Sequence, residues 1–434
     1  MSSAEQISNA SHKAMQLNPM PDWLRAEATQ TAFKLIEDAG YLVRAVGGCI
    51  RDTLLDGQNH PDIDMATTMP AEDLLALCRQ KGVTCIPTGL LHGTVTLHLV
   101  DAAGLVHAFE ITTLRKDIET DGRHANVAFT NDWLEDAKRR DLTINALYVD
   151  ALGHVYDPLE AVGQSGLSDL KQRKICFIGR ADQRIQEDYL RILRFFRFHF
   201  KLTPEDDIDA DGLAACLQFK DQLATLSRER IRDELFKVLA LPNADDALVF
   251  FQQYGFLTNM LCVEQVADVS KLSALNNIKV DGVTVFRLGA LLVRAQDVAK
   301  LRTAVCLTNA ETARLKQLWD GVFRQSVLDA LGSLERLFEL CYYKGVGAVI
   351  DQLIYLWVTH DDMPQNAQKT LDIINSWQRP VFPLTGQDFL DHGFVEGPRL
   401  GEAFTKVEAQ WVGSHFTLTR AQLLEQVSGL DPKG

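Results

Sequence analysis

The chain has 434 residues, 46% of them apolar and 24% charged, with a formal net charge of −14. That length and apolar content suit about two to four domains with cores of their own, and no apolar run approaches the ~18 residues a membrane span needs. The first residues lack the basic-then-apolar order of a secretion signal, and eight scattered cysteines without C-x-x-C spacing exclude a zinc ribbon or a disulfide framework. Composition therefore predicts a cytoplasmic chain with buried thiols and no membrane partner, and leaves the oligomeric state open.

In chain order, residues 22–39 read as an amphipathic helix opened by Pro21-Asp22 and closed by Gly40. YLVRAV follows as a short strand. Gly47-Gly48 then lets the backbone turn sharply into CIRDTLL, whose amides and Arg51 suit a phosphate tail. In HPDIDMATT, Asp62 and Asp64 stand at i, i+2, so on a strand both carboxylates leave the same face and would repel each other without a cation between them. Taken singly, a Gly-Gly turn or an acidic pair is equally at home in a solvated turn.

GTVTLHLV and LVHAFEITTL, separated by Asp101–Gly104, predict an antiparallel hairpin. Glu110 lies in the second strand between Phe109 and Ile111. A buried glutamate there would need a partner, and a metal ion is a sensible one. Strands and short helices alternate to about residue 157. From about Ala181 helical periodicity dominates, broken at Pro204, Pro242, Gly255 and Gly282, so the fold class is α+β with a helical C-terminal half.

Between the two parts, AKRRDLTINALYVD places Arg139, Arg140 and Asn145 along a helix start or turn, suited to triphosphate and ribose hydroxyls or to an ordinary N-cap. From Lys171 to Lys201, nine basic residues stand against three acids, a basic band on an acidic chain, either an RNA-facing surface or simply solvated arginines. Read as one helix, DQRIQEDYLRILRFFRFHFK gathers Ile185, Ile192, Leu193, Phe195, Phe196 and Phe200 on an arc of roughly 160°. Glu187, Arg191, Arg194 and Arg197 occupy much of the opposite arc, with Asp188 at the seam. An aspartate that accepts from an exocyclic amino group, beside an arginine that donates to the adjacent ring nitrogen, would take cytosine and adenine and reject uracil and guanine.

The succession Gly-Gly-x-x-Arg-Asp, Asp-x-Asp and a later strand acid resembles the nucleotidyltransferase superfamily with a polymerase-beta-like palm. More closely, the stretches VGGCIRD, DIDMATT, TGLLHGTVTL, FEITTLRKD, DGRHANVAF, RRDLTINAL, EDYLRILRFFRF and SRERIRDEL resemble, in order, the bacterial-type tRNA nucleotidyltransferases: the CCA-adding enzymes and the related poly(A) polymerases. The resemblance covers roughly residues 41–237 and implies a palm or head at 1–170, a helical base-recognising neck at 171–240 and an RNA-binding helical body and tail at 241–434. It further implies that Gly48 and Arg51 bind the triphosphate, that Asp62 and Asp64 hold Mg2+, and that Arg140 contacts nucleotide. Asp188 and Arg191 would select the base, Arg194 and Arg197 would add nucleotide contacts, and Glu110 would be the third palm carboxylate.

The implied substrates are tRNA, CTP and ATP, and the implied reaction is in-line attack of the RNA 3′-hydroxyl on the α-phosphate with two metal ions. CCA addition is favoured because RKDIETDGRHANVAF resembles the flexible loop accompanying the switch from C to A. No G-R-R-F-R-L-like stretch follows the Asp-x-Asp, which disfavours poly(A) polymerase, and an inert RNA-binding relative is the remote alternative. One departure is plain: after Asp157-Pro158 the family runs quickly into Gly-Gly-x-x-Asp-Leu, whereas DPLEAVGQSGLSDL carries extra residues before Asp169-Leu170, which bears on hinge geometry. His360-Asp361 reads as a surface turn.

Overall fold

The computed structural model describes residues 15–56, 62–121, 124–203, 207–263, 267, 269, 272, 283–292, 296–359 and 364–431. Pro204, Gly282 and the His360-Asp361 turn lie outside them. The chain forms two compact units, Met1–Glu234 and Leu235–Gly434.

The first unit is built on an eight-stranded mixed sheet. Its strands are β1 (Met15–Gln16), β2 (Val43–Val46), β3 (Ile63–Thr67), β4 (Thr84–Gly89), β5 (Thr94–Val100), β6 (Val106–Thr113), β9 (Tyr148–Val149) and β10 (His154–Tyr156). Their order is β1-β10-β9-β2-β3-β6-β5-β4, while β7 (Arg115–Asp121) and β8 (His124–Phe129) pair separately as an antiparallel ribbon. The expected hairpin is β5 and β6, with Asp101 Oδ1 accepting from the amides of Ala103 and Leu105 at 2.9 Å each to close the turn.

Strand alternation decides what faces what. In β6, Phe109 and Ile111 are each 1% exposed, whereas Glu110 is exposed on the opposite face. The glutamate is thus not buried, and no burial penalty calls for a metal partner. β3 runs parallel to β6 with Asp64 level with Glu110, so the register itself sets two carboxylates side by side.

The expected N-terminal helix is bent in two, α1 (Asp22–Arg25) and α2 (Glu27–Glu37), because Ala26 adopts φ −55°, ψ 136°. At Gly47, φ is +80°, which only glycine adopts cheaply, and α3 (Gly48–Asp56) begins at the next residue. Helices α4 (Ala71–Lys81), α5 (Trp133–Lys138) and α6 (Gly166–Lys171) complete the sheet region. The single helix expected over 182–201 is instead α7 (Ala181–Glu187) and α8 (Leu190–Leu202), interrupted where Asp188 takes φ −158°, ψ 108°. Its core face holds Ile185, Ile192, Leu193, Phe195 and Phe196 as expected, and also Phe198, while Phe200 is only half-buried. α9 (Ala210–Phe219) and α10 (Arg228–Leu239) follow, and the boundary between the two units falls inside α10.

Among the described residues of the second unit, the regular elements are helices. One of its cores gathers Tyr342, Phe389, Phe394, Val407, Trp411 and Leu423. The eight cysteines are thiols and not disulfides: four are buried, three half-buried and Cys262 exposed, so buried thiols are half the set rather than all of it. Among the described residues no helix is long and apolar enough to cross a membrane.

Candidate active site

Asp62 and Asp64 are both exposed at and just before the start of β3, and Glu110 stands beside Asp64 on β6. Asp64 keeps contact with solvent, yet the protein around it withholds enough water to push its carboxyl above the usual range. The charges of Glu110 and Asp62 push it further, and Arg140 pulls the other way. Among the described residues no three ligating side chains converge tightly enough to cage a metal by themselves. The face is an anionic shelf with one guanidinium near it.

That guanidinium is held from behind. Asp136, fully buried on α5, accepts from Arg140 Nη2 at 3.0 Å, from Arg139 Nε at 2.8 Å and from the Tyr148 hydroxyl at 2.7 Å. Burial alone would raise the Asp136 pKa, but Arg140 and Arg139 hold it down to about 2.

Arg51 is buried rather than extended into solvent. Its Nε and Nη2 meet Asp52 at 2.7 and 2.9 Å, its Nη1 donates to Asn145 Oδ1 at 2.6 Å, and Lys201 Nζ lies 3.1 Å from the same Asp52. Burial opposes ionisation of Asp52, and Arg51 and Lys201 overcome it, bringing its pKa to about 2. Asn145 Nδ2 in turn donates to Asp141 at 3.1 Å, whose other oxygen accepts from Arg194 Nε at 2.6 Å. Arg197 Nε donates to Glu234 at 2.7 Å. Arg51, Arg197 and Arg194 all lie over the ring of Phe198, at 4.6, 4.2 and 5.8 Å.

The Arg191 amide donates to the Asp188 carbonyl at 3.0 Å, but their side chains turn to different partners. Asp188 accepts from Arg230 at 2.7 Å and caps the Leu190 amide at 3.1 Å. Arg191 donates to Glu187 at 2.6 Å and to the carbonyls of Arg184 and Arg139 at 2.9 and 3.1 Å. The basic band counted along the sequence is therefore largely ion-paired, because the fold brings Asp52, Asp141, Asp209 and Glu234 to Lys201, Arg194, Lys174 and Arg197. A count along the chain sees only local acids. Asp52, Asp136, Asp141, Glu234, Arg230 and Phe198 carry no local sequence signal of these partnerships, although all but Asp136 lie within the motif stretches VGGCIRD, RRDLTINAL, EDYLRILRFFRF and SRERIRDEL.

Asp52 and Asp136, depressed to about 2, favour the folded chain when ionised. Their contribution is complete above the unfolded value near 4 and is lost as pH falls through about 2, at roughly 2 kcal/mol each. Urea midpoints taken from about pH 6 to about pH 2 should fall accordingly, and Asp136→Asn should flatten the curve. An equally steep curve in that variant would remove Asp136 from the account.

A mixed sheet carrying paired strand carboxylates, followed by regions whose described regular elements are helices, is the architecture of a nucleotidyltransferase head with helical regions after it. The family model described as "Poly A polymerase head domain" matches residues 43–176, and that described as "Probable RNA and SrmB- binding site of polymerase A" matches 207–265. The Danio rerio protein named CCA tRNA nucleotidyltransferase 1, mitochondrial, is 32% identical over 400 residues, 89% of this chain and 87% of that protein. The fold is similar to that of the Bacillus stearothermophilus CCA-adding enzyme in complex with CTP, with TM-score 0.72, 23% identity and coverage of 94% and 98% of the two chains. It is also similar to that of the Thermotoga maritima CCA-adding enzyme complexed with tRNA, with TM-score 0.63, 18% identity and coverage of 92% and 94%. The chain belongs to the family of CCA tRNA nucleotidyltransferases and poly(A) polymerases, which are enzymes.

Proposed function

We propose that this chain adds CCA to the 3′ end of tRNA from CTP and ATP, without a nucleic-acid template. The observation that carries the reading is the parallel register that levels Asp64 with Glu110 on one exposed face, near Arg140. Three carboxylates beside a single arginine fit a divalent cation, and magnesium in such sites uses one or two carboxylates together with substrate phosphates. Asp62 and Asp64 would hold it. Bound there, Mg2+ supplies Lewis acidity toward the 3′-hydroxyl and offsets phosphate charge.

The chain's own groups do the rest. Gly48, lacking a side chain, lets the triphosphate approach the N-terminus of α3, where helix amides favour anions. Arg51 and Arg140 stabilise charge on the phosphates, and their fixed partners keep them in place between turnovers. The 3′-oxygen bonds to the α-phosphorus as the bond to the β-phosphate oxygen breaks, and pyrophosphate leaves opposite. Positioning supplies most of the acceleration. Asp188 accepts from the base's exocyclic amino group, Arg191 donates to the neighbouring ring nitrogen, and Arg194 and Arg197 add nucleotide contacts. Residues 241–434 carry the tRNA.

Poly(A) addition is the second reading, favoured by the description of the matching head family. Incubating tRNA that ends before its CCA with each nucleoside triphosphate, then sequencing the 3′ ends, separates the two: C-C-A is expected, and A tracts with no C would overturn it. The proposed location is cytoplasmic, and the mitochondrial name of the Danio rerio relative makes organelle targeting the alternative that a localisation experiment decides.

A further inference from the structure

Between Asp157 and Leu170 the chain is fastened by side-chain hydrogen bonds at Asp157, Gln164 and Ser165. Asp157 Oδ2 accepts from the Ser165 hydroxyl at 2.9 Å and from the Leu167 amide at 3.0 Å, fixing the start of α6. Gln164 bridges the backbone at Phe177 and Gly179, donating at 3.1 Å and accepting at 2.8 Å. α6 then meets the turn Thr143–Asn145 in two ways. The Thr143 hydroxyl donates to Asp169 Oδ2 at 2.6 Å. Gly166 packs so closely that a Cβ placed on it would lie 2.3 Å from the Thr143 carbonyl oxygen, far inside contact distance. That carbonyl accepts the Ala146 amide at 3.1 Å, so the pressure falls on a helical turn and not on a free loop.

Two residues beyond Thr143, Asn145 holds Arg51 with its oxygen and Asp141 with its amide. Thr143 is completely buried, and its own amide donates to the Cys176 carbonyl at 3.0 Å. The turn is therefore gripped from the α6 side and hands its position to Arg51 on the other.

We infer that α6, with the segment that leads into it, is a brace, with Thr143 and Asp169 as positioning residues that set the placement of the triphosphate-binding Arg51 through the Thr143–Asn145 turn. The inference rests on the reading of Arg51 given above. A brace of this kind acts on the phosphates and is indifferent to the base, so loosening it weakens CTP, ATP and a base-free polyphosphate alike. A change in triphosphate binding that is the same in ground and transition states appears in KM and not in kcat.

The test measures kcat and KM for CTP and ATP on tRNA, with inorganic tripolyphosphate as competitor, in the full chain. Thr143→Val, which keeps shape and loses the hydroxyl, should raise both KM values and the tripolyphosphate inhibition constant together, by about tenfold, with kcat within about twofold. Thr143→Ser should restore them. Asp169→Asn, at a half-buried position, should shift the same three constants in the same direction by about threefold and serves if the valine variant fails to fold. Arg51→Lys is the reference. If it weakens tripolyphosphate while the Thr143 and Asp169 variants behave as wild type, or lose kcat alone, the brace is overturned and the site reading stands. If Arg51→Lys leaves tripolyphosphate unaffected, the reading of Arg51 falls and the brace with it.

Discussion

Replacing Asp62 or Asp64 by alanine is expected to lower CMP and AMP incorporation by about 10²- to 10³-fold in single-turnover assays, with tRNA affinity within about twofold of wild type. Both side chains are exposed at the beginning of β3 and neither holds up the core, whose residues in that strand are Ile63, Met65 and Ala66. Removing either should therefore leave the melting temperature near that of the parent. Relief of repulsion even predicts a small gain, because the Asp64 carboxyl is raised by burial and by its acidic neighbours. Loss of activity with unchanged or improved stability is the signature of a site that trades folding energy for cation binding. A purified double variant that turned over normally would remove the metal reading altogether.

The parts of this site written into local pattern were legible from sequence. Period-two alternation gave the β5–β6 hairpin, and the glycine pair marked the positive-φ turn that opens α3, whereas the same alternation sets Glu110 on the exposed face opposite Phe109 and Ile111 and not in the buried position expected for it. What a single sequence does not carry is which distant acid meets which arginine. Asp52 with Lys201, Asp141 with Arg194 and Glu234 with Arg197 are joined only by folding. The break at Asp188 was missed for a different reason. A helical wheel assumes an unbroken helix, whereas an aspartate whose side chain can cap the following turn competes with the helix it sits in. An Asp in the middle of an apolar-periodic run was the available signal.

Those long-range pairs change what kind of site this is. A solvated arginine loses side-chain entropy when it captures a phosphate, whereas Arg51, Arg194 and Arg197 are already ordered by carboxylates and by the Phe198 ring. Breaking one of these buried pairs leaves an uncompensated charge at a cost of about 3–5 kcal/mol, so Asp141 and Glu234 are structural in the same measure that they are preparatory. On the proposed reading, binding a nucleotide would mean exchanging partners within a charged network instead of building one.

The proposed base selection by Asp188 would show that exchange most sharply. Asp188→Ala is expected to reduce discrimination of CTP and ATP against UTP by about 5- to 150-fold, the equivalent of about 1–3 kcal/mol for one specific polar contact. The aspartate is acceptor-only, so it attracts the amino group of cytosine or adenine and repels the carbonyl at the same place in uracil, and alanine does neither. Most of the change should therefore appear as faster UMP incorporation. The Arg230 guanidinium, which meets Asp188 at 2.7 Å, would be the competitor that the base must displace or share. Arg230→Ala should in consequence act in the opposite sense on affinity, lowering the KM for CTP while keeping the preference over UTP, provided Asp188 keeps its cap on Leu190. A folded Asp188→Ala enzyme with an unchanged ratio of UTP to CTP incorporation would place base reading on other atoms, and the Asp188–Arg230 pair would then be a fastening between α7–α8 and α10 and nothing more.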